Sequence, residues 1–197
     1  MAVEQPKFEI EVAKGDFQVR RYGPTVVAET TVDGSFGDAG NQAFRRLAGY
    51  IFGANDGGRK IAMTAPVAQV KNQGTKLPMS SPVSQEKRGE GWVVSFTMPS
   101  AFPLATLPRP NDARVTLREV AGRRVAAIRF SGTWSPERFA EKALELDSEM
   151  TRRRLAAAGP PVYARYDPPW TPWFLRRNEV LVPIAGSGSK AGDGRSE

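Results

Sequence analysis

The chain contains no cysteine and no histidine among its 197 residues. The absence of cysteine excludes disulfides, thiolate metal sites, cysteine nucleophiles and thiol redox chemistry. The absence of histidine removes the commonest general base and a frequent metal ligand. We therefore expect neither a zinc enzyme nor a Ser-His-Asp hydrolase, and the sequence predicts no catalytic residue and no metal ligand.

Long apolar runs are also missing. Residues 1–17 lack the apolar core of a signal peptide, and no later stretch approaches the length of a membrane span. We expect a cytoplasmic protein with no membrane partner. Arg and Ala outnumber Lys and Ile, a habit of GC-rich genes that suggests a bacterial source.

The charge balance is basic but dispersed. The chain carries 28 Lys and Arg against 21 Asp and Glu, a net charge of +7. Its arginine clusters lie at positions 20–21, 45–46, 123–124, 152–154 and 176–177. None is long enough to form a nucleic-acid-binding tract, so no nucleic-acid partner is expected. The working expectation for the assembly is a monomer.

The first half of the chain predicts three strands followed by a helix. Runs of β-forming residues separated by Gly or Pro predict strands over 8–13, 17–22 and 25–32. Apolar residues at helical spacing predict a helix that Asp38 caps and Gly53 ends. Further strands are predicted over 61–70, near 79–83 and over 92–98.

The second half has the same outline. Its predicted elements are strands over 115–120 and 124–130, a helix from Ser135 or Pro136 to Gly159, and closing strands over 162–166 and 180–184. DGSF at 33–36 corresponds to SGTW at 131–134. This self-similarity predicts an internal duplication with units of about 8–98 and 112–184.

These elements define an α+β chain of ordinary single-domain length. Two strand-helix-strand-strand halves would join into one curved sheet, or a barrel, with the helices outside. We place the domain at residues 7–184. Residues 185–197 are small, polar and rich in glycine, so they are expected to form a disordered tail.

Four groups of segments carry a family resemblance. They are FQVRRYGPTVVAET at 17–30, AFRRLAGYIFGAND at 43–56 with KIAMTAPV at 60–67, WVVSFTMPSAF at 92–102, and ARYDPPWTPWFLRRNEV at 164–180. In this order they resemble the SOUL haem-binding family, and the resemblance covers about residues 8–184. Each motif alone is a weak signal, but the order and spacing of all four are specific. The chain is therefore identified as a member of that family.

The resemblance implies a twisted, distorted antiparallel β-barrel flanked by two long helices, and affinity for haem or free porphyrin. It also implies a shallow apolar pocket between the first helix and the closing strands, where this chain has Phe44, Ala48 and Trp170. One branch of the family uses a histidine to bind iron, and this chain has none. The implied ligand is therefore a small-molecule tetrapyrrole held without a histidine axial ligand.

Residue chemistry gives the same candidates a physical basis. The candidate ligand-binding residues are Phe44, Ala48, Ile51, Met63, Trp170, Trp173, Arg176 and Arg177. Apolar and aromatic side chains can cover both faces of a porphyrin, and an arginine can bind its propionates. The alternatives are that Phe44, Ile51 and Met63 belong to the core, and that an arginine pairs with Glu179 or with Asp167.

Three functions remain open on the sequence. The first is a tetrapyrrole carrier, buffer or sensor that is not an enzyme. The second is a small-molecule-sensing or inhibitory domain of the gyrase-inhibitor-like type with weak hydrolase activity, for which a carboxyl of raised pKa in the groove would be diagnostic. The third is a protein-binding role, which an exposed apolar patch that porphyrins ignore would indicate.

Overall fold

The computed structural model describes residues 4–72, 91–168 and 170–186. The strands in this part of the chain are β1 (Phe8–Lys14), β2 (Phe17–Tyr22), β3 (Thr25–Asp33), β4 (Val67–Asn72), β5 (Gly91–Thr97), β6 (Thr116–Val120), β7 (Arg123–Ser131), β8 (Val162–Arg165) and β9 (Arg177–Pro183). The helices are α1 (Phe36–Ile51) and α2 (Pro136–Arg152). Short 3-10 turns cover Asp56–Gly58, Leu104–Thr106 and Trp173–Leu175.

The strands form one curled antiparallel sheet in the order β1-β2-β7-β9-β8-β4-β5-β3-β6. Helix α1 packs against β3 and β5, and α2 packs against β7 and β9. The expected α+β class and its twisted, barrel-like sheet with two long helices are therefore confirmed. The last two strands along the chain, β8 and β9, lie in the middle of the sheet between β7 and β4.

The helix ends differ in detail from the sequence expectations. The α1 cap is Ser35, whose hydroxyl accepts a hydrogen bond from the backbone N–H of Asp38, so the expectation that Asp38 caps the helix is wrong. Asp38 instead lies in the first turn, where its charge favours the helix dipole. Ser135 caps α2 as expected, but α2 ends at Arg152 and not at Gly159.

Two apolar clusters fill the space between the helices and the sheet. The first cluster joins α1 to β3 and β5 through residues that include Leu47, Ile51, Val94 and Phe96. The second joins α2 to β7 and β9 through residues that include Phe139, Leu146, Ile128 and Val180. Each helix thus buries its apolar stripe, as the helical spacing predicts.

Phe36 connects the two clusters, because it begins α1 but packs in the second cluster. Its ring lies 5.2 Å from Trp92 of β5, 5.6 Å from Tyr163 of β8 and 5.5 Å from Phe139 of α2, measured between ring centroids. Edge-to-face and tilted ring contacts of this kind stabilise the fold beyond the burial of apolar surface alone.

The segment between α1 and β5 departs most from expectation. A strand was expected over 61–70, but β4 begins only at Val67. Before it, Thr64 forms an isolated bridge with Glu4, and the Ala65–Pro66 peptide bond is cis. Proline lacks the N–H that a ladder position needs, which explains the late start of the strand. The strand expected near 79–83 lies outside the described residues.

Candidate functional site

The outer face of α1 presents an aromatic side chain beside an open groove. The Phe44 side chain is 37% exposed, and its ring lies 5.5 Å from the ring of Phe96 in the sheet below. The groove has a volume of about 560 Å³. Its lining residues are Gly34, Asp38, Asn41, Gln42, Phe44 and Arg45. Phe44 is thus supported by the core from below while its outer surface stays available.

Residues 170–175, which we call the closing segment, carry a run of exposed apolar side chains. These are Trp170, Trp173, Phe174 and Leu175, each more than half exposed, and Trp170 reaches 84%. Hydrogen bonds hold the backbone of the segment, since the N–H of Gly132 donates to the carbonyl of Trp173 at 3.1 Å. A contiguous exposed apolar patch on a held backbone is typical of a binding surface.

One row of paired residues crosses the sheet beneath the two helices. Val67 of β4 pairs with Phe96 of β5 on one side and with Arg165 of β8 on the other. Because neighbouring strands lie about 4.8 Å apart, Phe96 and Arg165 are about 10 Å apart across the sheet. Arg165 pairs in turn with Asn178 of β9. The sheet therefore carries Arg165 in the centre of the row, between the two apolar clusters.

Arg165 lies between the two helices. Its Nη2 donates to Oε1 of Gln69 at 3.2 Å, and its guanidinium carbon lies 4.7 Å from the ring centroid of Phe36 and 5.2 Å from that of Trp134. Burial lowers the pKa of Arg165 to about 10, because the charged form loses hydration. We call this group of residues, Phe36, Gln69, Trp134, Arg165 and Asn178, the seam.

The indole of Trp134 contacts two arginines. The guanidinium carbon of Arg176 lies 4.6 Å from the Trp134 ring centroid, and that of Arg165 lies 5.2 Å from it. Arg176 also donates from Nε to the carbonyl of Thr171 at 2.7 Å, which joins the closing segment to the seam. Arg176 and Trp134 therefore connect the closing segment to Arg165.

Arg177 takes part in a buried polar network on the other face of the sheet. Glu179 accepts two hydrogen bonds from Arg20, at 2.7 and 2.9 Å, and one from the hydroxyl of Tyr166 at 2.6 Å. Arg177 donates to Glu179 through Nε at 3.1 Å and Nη2 at 2.7 Å, and its guanidinium carbon lies 4.0 Å from the Tyr166 ring centroid.

Burial opposes ionisation of Glu179, but the hydrogen bonds and charges of its arginine partners, with the bond from Tyr166, outweigh it and hold the pKa of this carboxyl below its usual range. Nearby, the backbone N–H of Arg177 donates to Oδ2 of Asp167 at 2.5 Å. Both structural alternatives considered for the arginine pair, contact with Glu179 and with Asp167, are thus seen at Arg177. Asp167 of the YDPP motif is thereby held to the first residue of β9.

The structure places the expected ligand residues at different depths. Phe44, Trp170 and Trp173 are exposed; Met63 is partly buried on the first cluster; Ala48 and Ile51 are buried; Arg176 and Arg177 are partly buried. Sequence reasoning did not select Arg165, Trp134 or Gln69. The alternation of β8 could have indicated Arg165, because Tyr163 and Arg165 fall on the same face of that strand.

The diagnostic feature for hydrolysis is not found among the described residues. The carboxyl groups whose pKa departs from its ordinary value are those of Glu4, Glu11, Asp112 and Glu179, and in all four the pKa is lowered. Within the same ranges no three acidic side chains are arranged to hold a metal ion. None of the helices there is both long and apolar enough to cross a bilayer.

A curled antiparallel sheet packed against two helices places the chain in the α+β class. Residues 3–183 match the family model described as SOUL heme-binding protein, so the chain belongs to the SOUL family. It is 28% identical over 195 residues to heme-binding protein 2 of Mus musculus, covering 92% of this chain and 90% of that protein.

Solved structures share the fold at low sequence identity. The C-terminal domain of EcmrR superposes with a TM-score of 0.58 at 11% identity, over 86% of this chain and 96% of that one. A structure described as a hydrolase from Listeria innocua superposes with a TM-score of 0.57 at 10% identity, over 89% and 94% of the two chains. At such identities the likeness shows the fold alone.

Proposed function

We propose that this chain binds a tetrapyrrole, haem or free porphyrin, and serves as a carrier, buffer or sensor without catalysing a reaction. Membership of the SOUL family supports this proposal, as does the heme-binding name of the mouse relative. The observation that carries it is the run of four exposed apolar side chains in the closing segment, which Arg176 connects to Trp134 and, through the ring of Trp134, to Arg165.

The binding surface consists of α1 and the closing segment. Phe44, Trp170 and Trp173 would contact the macrocycle, with Met63, Ala48 and Ile51 as the packed layer that supports α1. A flat aromatic ligand on these side chains gains about 25 cal/mol for each Å² of apolar surface removed from water. Stacking on the rings adds about 0.5–1.5 kcal/mol for each aromatic pair. Arg176, beside the closing segment, would approach the polar edge of the ligand.

The residues present fit the macrocycle and not its iron. The usual strong protein ligands of haem iron are histidine and cysteine, and the composition contains neither. The alternatives near the motifs are Met63, Tyr50 and Met98, and each is engaged in the fold. The hydroxyl of Tyr50 donates to the carbonyl of Pro108 at 3.0 Å, Met98 is buried in the first cluster, and Met63 packs partly buried against that cluster. Affinity therefore depends on contact with the faces of the ring.

The test is a titration of the full chain with protoporphyrin IX, followed at the Soret band. We expect a dissociation constant in the micromolar range or weaker. The double variant Trp170→Ala, Trp173→Ala should raise it at least fivefold. The control is Leu144→Ala, which removes an equally exposed apolar side chain from α2 and should leave the dissociation constant unchanged.

Two outcomes would overturn the proposal. One is a wild-type protein that does not change the Soret band at porphyrin concentrations up to the limit set by porphyrin aggregation. The other is equal affinity in the wild type and in the double tryptophan variant, which would exclude the closing segment as the binding surface.

A further inference from the structure

Arg165, whose side chain is partly buried, differs from the fully buried Arg20 in having no acidic partner. Arg20 is buried against Glu179 with a two-point hydrogen bond. For Arg165, in contrast, no carboxylate oxygen of the described residues lies within 4.0 Å, and its one hydrogen bond goes to the neutral amide of Gln69. A buried guanidinium without a counter-charge is costly, so a fold that keeps one commonly uses it.

Helix α1 approaches Arg165 closely. Gly40 of α1 faces it, and a Cβ at that position would lie 3.3 Å from Nη1 of Arg165 and 3.1 Å from Oε1 of Gln69. A side chain larger than hydrogen on this turn of α1 would therefore crowd the group. The amide of Gln69 is itself fixed, since its Nε2 donates to the carbonyl of Phe36 at 3.0 Å.

Two buried donors of the seam have no partner among the described residues. Nε of Arg165 and Nε1 of Trp134 are buried and have no hydrogen-bond partner within the described residues. Nη1 of Arg165 makes no hydrogen bond in the same part of the chain, while the side chain as a whole stays partly exposed. The one orphaned acceptor nearby is Oδ1 of Asn178. Buried donors without partners are rare, and this pair points to an acceptor that the fold does not supply.

We propose that Arg165, with Trp134 beside it, forms a carboxylate-binding subsite between α1 and α2 that selects apolar planar ligands carrying a carboxylate. This inference rests on the proposed function and specifies the chemistry that its ligand needs. The guanidinium supplies the charge, the indole N–H of Trp134 a second donor, and the closing segment the apolar contact for the body of the ligand.

The geometry favours a carboxylate over other anions. The flat faces of Phe36 and Trp134 lie on the guanidinium at 4.7 and 5.2 Å and make the space around it narrow. Arginine can bind either anion through two parallel hydrogen bonds, but a planar carboxylate fits between the flanking rings, whereas the remaining oxygens of a tetrahedral phosphate project out of the guanidinium plane. One cation without a carboxylate partner also matches one negative charge.

The first experiment compares protoporphyrin IX with its dimethyl ester, two ligands that share a macrocycle and differ in their carboxylates. The wild type should bind the acid at least tenfold more tightly than the ester. Arg165→Gln should bind both equally, through a loss of affinity for the acid alone. The control Arg129→Gln removes the same charge from an exposed position on the opposite face of β7 and should keep the preference.

The second experiment does not depend on porphyrin. The chain has four tryptophans, so its indole N–H groups give four signals in a ¹H–¹⁵N spectrum, and Trp134→Phe identifies the one of interest. Addition of 2-naphthoate should shift the Trp134 signal in the wild type and not in Arg165→Gln. The uncharged 2-naphthalenemethanol should shift it much less, and inorganic phosphate should not compete with naphthoate.

The outcomes separate the two proposals. If the wild type binds protoporphyrin but shows no preference for the acid, the subsite is wrong and the tetrapyrrole function stands. If porphyrin does not bind while naphthoate shifts the Trp134 signal through Arg165, the subsite stands and the tetrapyrrole function is wrong. Retention of the acid preference in Arg165→Gln, or competition by phosphate, also overturns the subsite. A wild type that binds the acid and the ester equally refutes the subsite, and this result does not require any variant to fold.

Discussion

Arg20 of β2 and Glu179 of β9 form a two-point hydrogen bond, with Nη1–Oε2 at 2.7 Å and Nη2–Oε1 at 2.9 Å, and both side chains are almost completely buried. The two strands are the neighbours of β7 in the sheet. The pair therefore connects strands that are not adjacent to each other, on the face opposite the helices. Tyr166 and Arg177 complete the hydrogen bonding of the carboxylate.

Glu179→Gln should strongly destabilise the protein. The substitution keeps the shape of the side chain but removes the charge that Arg20 faces. A buried cation left without its partner costs about 3–5 kcal/mol. Urea unfolding followed by circular dichroism would measure the change in the free energy of unfolding. The comparison is Glu141→Gln on the exposed face of α2, where a change within about 0.5 kcal/mol is expected. Equal effects of the two substitutions would contradict a structural role for the network.

The same network predicts sensitivity to acid. The pKa of Glu179 is lower in the folded protein than in the unfolded chain, so the unfolded chain binds more protons as the pH falls. The stabilisation is complete above about pH 4.5, the ordinary value for this carboxyl, and is lost as the pH falls through the folded pKa. Subtracting the unfolding free energies of Glu179→Gln from those of the wild type, measured at pH 7 and at pH 3, isolates this residue from the other acids. The difference should be smaller at pH 3, and a difference independent of pH would refute the linkage.

Gly40→Ala should report on the tight approach of α1 to the seam. An alanine in a helix is favoured over glycine by about 1 kcal/mol. At position 40 the new Cβ would lie 3.1 Å from Oε1 of Gln69, so the gain should be cancelled or reversed. At Gly49 of the same helix the nearest atom to a Cβ is 3.9 Å away, and Gly49→Ala should stabilise the protein. Thermal unfolding of both variants tests this contrast. Equal melting temperatures would show that the side chains of Gln69 and Arg165 move aside without cost.

Haem should bind no more tightly than metal-free protoporphyrin. With no histidine or cysteine in the chain, the iron gains no strong protein ligand, and both ligands offer the same faces for stacking. Parallel Soret titrations give the two dissociation constants. A haem complex that is much tighter and has a six-coordinate spectrum would contradict this expectation and would implicate Met63, Tyr50 or Met98 as a ligand.

Local elements were predictable from the sequence because their signals are local. The hairpin and third strand were expected over 8–13, 17–22 and 25–32, and the structure has strands there because β-forming residues and glycine turns specify them without reference to the rest of the chain. The helix cap at Ser35 was missed because Asp38 has equally good cap chemistry. The choice between them depends on the direction in which the chain leaves β3, which a residue pattern does not contain.

The seam could not have been found by the same reasoning. Arg165 directly precedes the YDPP turn in sequence, and its side chain meets Gly40 and Trp134 only because β8 lies in the middle of the sheet. That position depends on pairings between strands that are far apart along the chain. The exposed closing segment was easier to anticipate, since two tryptophans among prolines suit a loop and no helical or strand period would bury them. The internal duplication stays a prediction.

The position of Phe36 has a consequence for the two halves as separate pieces. This ring starts the helix of the first half but is enclosed by Phe139 and Tyr163 of the second. The first half produced alone would expose the ring of Phe36 to water. The second half produced alone would expose the aromatic side chains that enclose this ring. Such a fragment could remove this surface from water only by associating with another chain. The two halves should therefore assemble when they are co-expressed, whereas each half produced alone should aggregate.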